Sequence, residues 1–543
     1  MENYTITILS EGTVVDAPLV EVDIQCEVNK IPYARLSFRD GNPAKQTFDL
    51  SKTSLLTPGK QLEIKIYYNE QADEEATLFS GIITKHSIEA NIHYSYLIVE
   101  LRDTSFKMTA TRRNKLFKEQ KDADVFNELI SSNKLKAGQI DSPSDETQDL
   151  IQYYCSDWDF LLSRADLYGY WVTVSQEKIS VLDPKQISTS RAKHLLSYGL
   201  SQIYDVNLEI NAEHQIDALR NITWQNDSNE INSITQSVNF QSNPGNLVPE
   251  DLAQVVGRDT VNIQSLVPLG LEEQRGWGIG KISKTRLAML QGSVTIEGNQ
   301  KIQLLDIAEL AGISPRFNGN AIITGVRHRI SINGWSTDLQ FGVSPQSYAQ
   351  QHQMTALEAG GLLPGIKGLQ IGIVESYEKD PQDQFRMRVN IPALETITWA
   401  RLATIYAGEK GGIYFHPETG DEVIVGFLND DPRQAIVLGS LHSTTNPPPV
   451  AEGEINAENP VKKIQTKAGF QITIDESNEF VSINTPQGQH LKMDDKQKLI
   501  ELQDVNNNQI KLSESGILLK TEKEIIIEGK TVKITGKDSI DMN

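Results

Sequence analysis

The side chains that could do chemistry in this sequence are few and widely spaced. Its two cysteines, Cys26 and Cys155, are far apart in the chain, which indicates free thiols rather than a disulfide framework or a thiolate metal site. Among nine histidines, the closest two are His86 and His93, on strand-like sequence and without a metal-ligand spacing. Neither residue type therefore predicts a metal centre.

The sequence motifs of common enzyme classes are absent as well. The chain has no G-x-S-x-G, H-E-x-x-H, C-x-x-C or G-x-x-x-x-G-K-[ST] pattern, so it indicates no nucleophile elbow, zinc helix or phosphate loop. The acidic pairs Asp430-Asp431 and Asp494-Asp495 fall in predicted turns, where carboxylates cap the backbone. Residues 276–280 (GWGIG) lack the dinucleotide-binding spacing and predict a turn. We predict no catalytic residue, no cofactor, no metal and no enzymatic activity.

Composition describes a folded chain of several domains. Its 543 residues are 38% hydrophobic and 23% charged, and no apolar run approaches the ~18 residues of a membrane-spanning helix. Residues 1–10 (MENYTITILS) alternate polar with apolar and lack a basic start. They predict a strand rather than a secretion signal. We expect the protein to be made in the cytoplasm without a signal peptide.

The elements that must position any functional residue are mostly strands. Alternating segments such as 61–68 and 93–101 predict strands. Helices are expected at 122–132 and 156–168, the second capped by Ser156 with Asp159 and ended by Gly169. Shorter helical patterns lie at 284–290 and 347–357. The predicted fold class is mainly β with a few helices.

Two breaks divide the chain. Residues 359–365 (AGGLLPG) gather small and turn-forming residues, and residues 446–460 form a Pro-rich, acidic stretch typical of an extended linker. We therefore expect an N-terminal region at 1–359, a small domain at 365–445 and a last segment at 461–543. The small domain has five alternating strands between turns, which fits an OB-fold barrel.

A repeat of 19 residues runs through the last segment. The motif at 469–475 (GFQITID) recurs at 488–494 (GQHLKMD) and at 507–513 (NNQIKLS). Each unit predicts a second short strand after a polar turn. The apolar residues of these second strands are Val481 and Ile483, then Ile500 and Leu502, then Leu519 followed by Thr521.

Strands of this kind leave an apolar face that a thin ribbon cannot bury alone. An exposed ribbon would also tend to aggregate. Either the ribbon lies on another domain, or several chains wind together and cover each other's faces and edges. Self-association is the more economical arrangement, and three chains closing a triangular prism is its simplest form. The expected core positions of the prism are Ile472, Ile474, Leu491, Met493, Ile510 and Leu512.

The middle segment also carries the residues of a known family. The most specific run is 420–441, from GDEVIVGF through Asp430-Asp431-Pro432-Arg433 to VLGSL, preceded by 385–389 (FRMRV) and 399–403 (WARLA). It resembles the barrel of the valine–glycine repeat (VgrG) spike proteins of contractile injection systems. Residues 78–83 (LFSGII) and 153–169 resemble the hub domain that VgrG shares with tailed-phage late-control proteins.

The resemblance implies a homotrimeric, membrane-piercing central spike. Its hub, with two β-barrel subdomains plus helices, would join a hexameric inner-tube protein and baseplate proteins. The OB barrel would follow, and residues 461–543 would form an intertwined triple-stranded β-helix or prism. A PAAR-type tip protein would dock at the far end of this needle, at Ser539, Ile540, Asp541, Met542 and Asn543.

The resemblance also implies how the particle works. Contraction would drive the spike through a target membrane, although the spike is not itself a membrane protein, and would deliver effector cargo. The protein would act in a particle released into the extracellular space or injected into a target cell. The compact length is more similar to extracellular phage-tail-like particles than to type VI secretion spikes.

Two other classes of protein stay open. A tail-associated cell-wall hydrolase would need two carboxylates across a cleft, which a sequence does not display. An OB-fold carbohydrate-binding module would need exposed aromatic platforms. Trp399 and Tyr414 are candidates, although single aromatics in strands are typical of core positions. Nucleic-acid binding is disfavoured because a formal charge of -21 repels phosphate groups.

Overall fold

Alternating apolar residues make strands the main element of the fold, which confirms the predicted class. The computed structural model describes residues 4–175, 177–238, 244–451 and 453–542. The chain divides into two units, Met1–Ala356 (unit 1) and Leu357–Asn543 (unit 2). Each unit is built on its own apolar cores.

Most strands of unit 1 pair antiparallel with their neighbours. They are β1 (Tyr4–Ser10), β2 (Thr13–Val14), β3 (Leu19–Glu27), β4 (Tyr33–Arg39), β5 (Gln61–Tyr68), β6 (Ala76–Ala90), β7 (Ser95–Arg102), β8 (Arg112–Gln120), β9 (Lys136–Ile140), β10 (Gln148–Ser156), β11 (Trp171–Ser175), β12 (Lys178–Leu182), β13 (His194–Ser197), β14 (Ile203–Ile210), β15 (Ala218–Gln225), β16 (Glu230–Ser237), β17 (Thr260–Ser265), β18 (Leu290–Glu297), β19 (Ile307–Ala311), β20 (Gly319–Ser331) and β21 (Gly334–Phe341).

Within the described ranges, the α-helices all belong to unit 1. They are α1 (Asp122–Ser132), α2 (Asp157–Leu167), α3 (Pro184–Ser188), α4 (Pro249–Val255), α5 (Leu271–Leu287) and α6 (Tyr348–Gln351). Short 3₁₀ turns lie at Ser54–Leu56, Asn69–Glu74, Thr104–Thr109, Glu358–Gly361, Pro392–Leu394 and Leu428–Asp430.

One large sheet forms the frame of unit 1. Over the described residues it has thirteen strands, in the order β14-β18-β21-β20-β3-β4-β7-β6-β5-β1-β2, with β19 paired to β20 and β13 to β19. One apolar core includes Ile24 and Phe38, and another includes Val294 and Phe341. The resemblance predicts two barrel subdomains here. The strands form one continuous sheet with two cores, because β3 and β20 hydrogen-bond to each other. The division into two barrel subdomains stays a prediction.

Helices α1 and α2 pack on a third core with β11 and β12. The predicted cap of α2 is present: Ser156 Oγ accepts a hydrogen bond from the Asp159 amide at 3.1 Å. Gly169 follows the helix with a φ of 73°, the left-handed conformation in which glycine commonly ends helices. The segment that resembles the phage hub signature therefore forms a capped, buried helix.

A buried ion network ties α1, α2 and α5 together. Arg164 donates to Asp122 through Nε at 2.8 Å and to Glu273 through Nη1 at 2.6 Å, and Tyr168 donates to Asp122 at 2.9 Å. Burial disfavours the charged guanidinium, but Asp122 and Glu273 outweigh that effect and hold the pKa of Arg164 above its usual value. Because loss of one partner would leave a buried charge uncompensated, the network favours a single arrangement of the three helices.

Helix α5 runs through the glycine-rich segment that predicts a turn. That prediction is wrong, since Gly276 and Gly280 both lie inside a helix of 17 residues. A Cβ at Gly276 would lie 2.3 Å from the Tyr168 ring, and one at Gly280 would lie 2.4 Å from the Leu167 carbonyl oxygen. Glycine weakens a helix by about 1 kcal/mol per residue. Here it lets α5 approach the end of α2, and this packing outweighs the propensity.

Unit 2 contains a barrel and a long narrow sheet. The first strands are β22 (Gln370–Ser376), β23 (Met387–Ile391), β24 (Thr396–Leu402), β25 (Ala407–Gly408), β26 (Gly411–Gly412), β27 (Glu422–Phe427) and β28 (Ala435–Ser440). Five of them close the barrel β22-β23-β24-β28-β27 around Val374, Met387, Val389, Val425 and Val437. This is the five-stranded barrel that the sequence predicts. β25 and β26 form a separate hairpin.

The last strands of unit 2 follow one another in a meander. They are β29 (Val461–Gln465), β30 (Gln471–Asp475), β31 (Phe480–Asn484), β32 (His490–Asp494), β33 (Leu499–Gln503), β34 (Gln509–Ser513) and β35 (Gly516–Lys520). Every neighbouring pair is antiparallel, and the order in the sheet is the order in the chain.

Gly280→Ala is expected to destabilise unit 1, although alanine is the better helix former. The new Cβ would lie 2.4–2.6 Å from backbone atoms of Leu167, Tyr168 and Gly169, so α5 and α2 would have to separate, at a cost of about 1–3 kcal/mol. Urea unfolding measures this loss. Gly270→Ala is the matched control, because a Cβ there would meet only the flexible Glu146 carboxylate at 3.2 Å. Equal stabilities of the two variants would contradict the close packing.

The stability of unit 1 is expected to fall on mild acidification because of His328 on β20. Its Nδ1 lies 3.0 Å from Thr337 Oγ1 in a buried site, and burial lowers the pKa of His328 from 6.5 to about 4. Between these values the unfolded chain binds the additional proton, so stability decreases as the pH falls from 6.5 towards 4, by about 2–3 kcal/mol at pH 4.5.

The free energy of unfolding at pH 7.5 and pH 4.5 measures the effect of His328. The variant His328→Gln keeps a hydrogen-bonding side chain but has no such titration, so its stability should change less between the two pH values. An identical pH dependence in both proteins would exclude His328 as the cause.

Candidate functional site: the apolar face of the C-terminal sheet

The sheet β29–β35 places its apolar residues in two rows, one that crosses all seven strands and one that crosses β30–β35. Cross-strand pairs such as Ile472 with Ile483 and Leu491 with Leu502 define each row. Because alternate residues of a strand share a face, both rows lie on the same face. The first row is Ile464, Ile472, Ile483, Leu491, Leu502, Ile510 and Leu519. The second is Ile474, Val481, Met493, Ile500, Leu512 and Ile517.

This face, which we call the needle face, is only partly covered by its own chain. Ile472 is 42% exposed, Met493 45% and Leu502 50%. An apolar surface that continues along seven strands is larger than the isolated patches that monomers usually expose. It therefore marks an interaction surface.

The opposite face of the same sheet is polar. Its central positions include Lys492, Glu501 and Lys511, which are neighbours on adjacent strands. Lys492 also pairs with Asp494 at 2.8 Å and lies over the Phe480 ring at 4.5 Å. Alternating charges and hydrogen-bonding groups suit contact with water, so the two faces are chemically distinct.

Aspartates at the ends of β30 and β32 hold the turns that follow these strands. Asp475 Oδ1 accepts from the Asn478 amide at 2.9 Å, and Asp494 Oδ1 accepts from the Gln497 amide at 2.7 Å. The bonds from Asn478 hold the pKa of Asp475 below its ordinary value, so the carboxylate stays charged in the turn. Asp494 thus has the capping role that the sequence predicts for it.

The six residues predicted as prism core are brought together by the structure. Ile472, Leu491 and Ile510 share the first row, and Ile474, Met493 and Leu512 share the second. Whether these rows meet three-fold copies stays a prediction. Sequence reasoning missed β29 with Ile464, although this strand precedes the first motif with the same alternation.

The third repeat unit differs from its prediction in register. In the first two units four residues separate the paired ends, such as Asp475 and Phe480, but Ser513 pairs directly with Gly516 across a two-residue turn. β35 therefore begins early and places Ile517 and Leu519 on the needle face, while Thr521 lies beyond the strand. Gly516, with a φ of 122°, permits this tighter turn.

The chain after β35 carries a second, shorter apolar period. Residues 521–542 form neither helix nor strand, yet apolar residues recur every seven or eight positions, with Gly529 and Gly536 between them. The pairs are Ile525 and Ile527, then Val532 and Ile534, then Ile540 and Met542. All six are exposed. The predicted tip residues 539–542 lie in this exposed tail, and Asn543 falls outside the described residues.

The two aromatic residues that could serve a carbohydrate-binding module differ in exposure. Trp399 is half-buried and lies 5.7 Å from the Arg386 guanidinium. Tyr414 is 80% exposed and stacks on His416 at 4.2 Å, so its predicted core position is wrong. It is exposed because it belongs to the segment between β24 and β27, outside the barrel strands.

The described residues contain neither a metal-binding cluster nor a membrane-spanning helix. No group of three or more His, Cys, Asp or Glu residues in that part of the chain is arranged to hold a metal ion. No helix there is long and apolar enough to cross a membrane.

Two known families match separate parts of the chain. The family described as the Alg8 N-terminal domain matches residues 1–331, more than half of the sequence. The chain belongs to this family. Beyond the Alg8 N-terminal domain, the family described as the type VI secretion system/phage-baseplate injector OB domain matches residues 370–442, which is the barrel of unit 2.

Curated relatives match the Alg8-type chain over short stretches. It is 45% identical over 53 residues to the type VI secretion system spike protein VgrG3 of Vibrio cholerae, covering 10% of this chain and 5% of that protein. It is 45% identical over 51 residues to the actin cross-linking toxin VgrG1 of Vibrio cholerae, covering 9% of this chain and 5% of that protein. The chain thus spans a small part of the curated relatives it matches.

Among solved structures, a tail protein from Neisseria meningitidis is similar at a TM-score of 0.47. The two are 12% identical, and the match covers 63% of this chain and 97% of that one. The family matches together with the VgrG relatives confirm the resemblance to VgrG-like spike proteins. The injector OB-domain match places this similarity in the barrel, at residues 370–442.

Proposed function

We propose that three copies of this chain close their needle faces into a prism and form the central spike of a contractile injection machine. The observation that carries the proposal is the needle face, whose first apolar row continues across β29–β35 without a polar residue and whose second row continues across β30–β35. The resemblance to VgrG favours three copies over two. The role is mechanical, with no catalytic step.

The energetics favour association. Each of about a dozen Ile, Leu, Val and Met side chains is left roughly half exposed, and covering the remainder contributes about 1 kcal/mol per side chain. The sum is on the order of 10 kcal/mol per chain. This is comparable with the whole estimated cost of association, about 4–15 kcal/mol, so three chains that cover one another gain enough to stay together.

Charge does not oppose this contact. The whole chain has a formal charge of -21, but residues 461–543 contain 12 lysines and 13 aspartates and glutamates, a balance of -1. The acidity therefore lies in residues 1–460. Three needle segments can meet along an axis without the like-charge repulsion that the full composition would suggest.

In this proposal the exposed tail completes the needle. Its apolar pairs at intervals of seven or eight residues suit short strands that hydrogen-bond to the other two chains rather than to their own. Residues 539–543 would then form the blunt end that carries a PAAR-type tip protein. Unit 1 would dock on a hexameric inner-tube protein and on baseplate proteins, and contraction would carry the spike and effectors through a target membrane.

The mass of the purified protein in solution tests the trimer. Light scattering should give about three times the chain mass of 60.6 kDa for the full chain. For a truncation that ends at Pro449, the measured mass should fall below three times the mass of the truncated chain. A monomeric full chain with intact β-structure would contradict the proposal, because the needle face would then be stable in water without copies.

Leu491→Asp is expected to weaken or abolish the trimer, because it would place three like charges against one another in an apolar core. Thr473→Asp is the matched control, since Thr473 lies on the polar face of the same sheet opposite Lys463 and Ser482. Light scattering over a dilution series compares the two. A stable Leu491→Asp trimer would show that the needle face points away from the axis.

A further inference from the structure

The barrel of unit 2 carries an exposed apolar segment that its fold does not require. Residues 403–415, which we call the arm, connect β24 to β27 and are exposed throughout. The arm is an ordered ribbon: the Ile413 amide donates to the Tyr406 carbonyl at 2.9 Å, Thr404 Oγ1 donates to the Ile413 carbonyl at 3.0 Å, and β25 pairs with β26. It therefore holds its shape by its own hydrogen bonds.

The arm exposes large apolar and aromatic side chains of the kind that proteins usually bury in contacts. Ile405 is 92% exposed, Phe415 63% and Tyr406 58%, in addition to Tyr414. Large aromatic and branched side chains of this kind are typical of protein interfaces rather than of solvated loops.

One outer side of the same barrel is apolar as well. On β22, Gly372 faces the core side chains Val389, Val423 and Val425, so its neighbours Ile371 and Ile373 face outward. Ile371 pairs with Ile424 on β27. Near the other end, Leu369, Ile436 and Leu438 converge over Gly426, each within 4 Å of where its Cβ would be. Together these six outward-facing residues form a surface that we call the barrel face: Leu369, Ile371, Ile373, Ile424, Ile436 and Leu438.

Within one chain the arm and the barrel face do not cover each other. Leu438, Leu369 and Ile371 keep about half or more of their surface exposed while the arm is ordered elsewhere. In a single copy, both the arm and the barrel face are therefore exposed to water.

We propose that the arm of one copy lies across the barrel face of the next copy around the ring. This inference rests on the proposed trimer. A cyclic trimer is held by heterologous contacts, in which each copy presents two different, complementary patches. The arm and the barrel face are two such different patches. Because the barrel is followed in the chain by the needle segment, residues 461–543, association of three needle segments would bring the three barrels side by side.

The dimensions and the area fit an accessory contact. Three adjacent strands span about 10 Å, and a ribbon with six residues per side reaches about 20 Å, so the arm is long enough to cross the barrel face. Its aromatic side chains offer on the order of 400 Å², less than the about 800 Å² per partner of a standard interface. The arm would therefore orient the barrels in a trimer that the needle holds together.

Cysteine crosslinking tests this contact in the full chain. The double variant with Tyr414→Cys and Leu438→Cys, oxidised or treated with a short bis-maleimide, should give covalent dimers and trimers on a non-reducing gel. Each single variant should stay uncrosslinked. The native thiols contribute little background, because burial raises the pKa of Cys26 to about 12 and also raises that of Cys155.

Light scattering on the same samples separates the two hypotheses. A monomer would overturn the proposed trimer itself. A trimer without crosslinks would overturn the arm contact alone. Crosslinks in the Tyr414→Cys single variant would show that arms meet arms, and a crosslinked species of monomer mass would show that the arm folds onto its own barrel. Both results would overturn the exchange between copies.

Discussion

The constraint on which unit 2 depends is that its C-terminal sheet has one face that must leave water and no part of its own chain to cover it. Burial of apolar surface is non-directional, so it alone would not select a needle. Direction comes from the strand period: with strands of only five residues, each contributes two side chains to the needle face, and the cross-strand pairs align them into rows. Ile472, Leu491 and Ile510 are equivalent because the meander repeats its register.

Register is therefore the property that the rest of the segment maintains. A slip of one residue would turn every apolar side chain of a strand to the polar face. Asp475 and Asp494 oppose a slip by accepting amide hydrogen bonds from the loop residues that follow them. Both carboxylates are therefore structural, as the sequence predicts for the pair Asp494-Asp495. The polar face, with Lys492 between Phe480 and Asp494, adds a second preference for the same phase.

Local patterns were sufficient where the structure is local. The five barrel strands, the cap of α2 at Ser156 and the two apolar rows all follow from alternation and capping residues that lie next to each other in the chain. The errors have non-local causes. Gly276 and Gly280 predict a turn because the sequence does not show what requires glycine there. The cause is close packing against Tyr168 and Leu167, which lie more than a hundred residues away in the chain. The pairing of β3 with β20 joins segments about three hundred residues apart, which alternation does not report. The shift of β35 depends on one shortened turn before Gly516.

The geometry of the needle also explains where charge is tolerated. The strands of β29–β35 run across the direction in which the rows extend, so the backbone hydrogen bonds between strands point along the length of the sheet. Neighbouring strands lie about 4.8 Å apart, and seven strands extend over about 30 Å. In the proposed trimer, a load along this direction would be carried by the hydrogen-bonded stack, whereas sliding of one chain past another would be resisted only by the apolar rows. A single charged residue in a row would remove that resistance at one level and, in three copies, add repulsion. The near-neutral balance of residues 461–543 within a chain of charge -21 fits this requirement. In the proposed trimer, the acidic residues would lie mostly outside the segment that packs against its copies, and that segment is almost free of net charge.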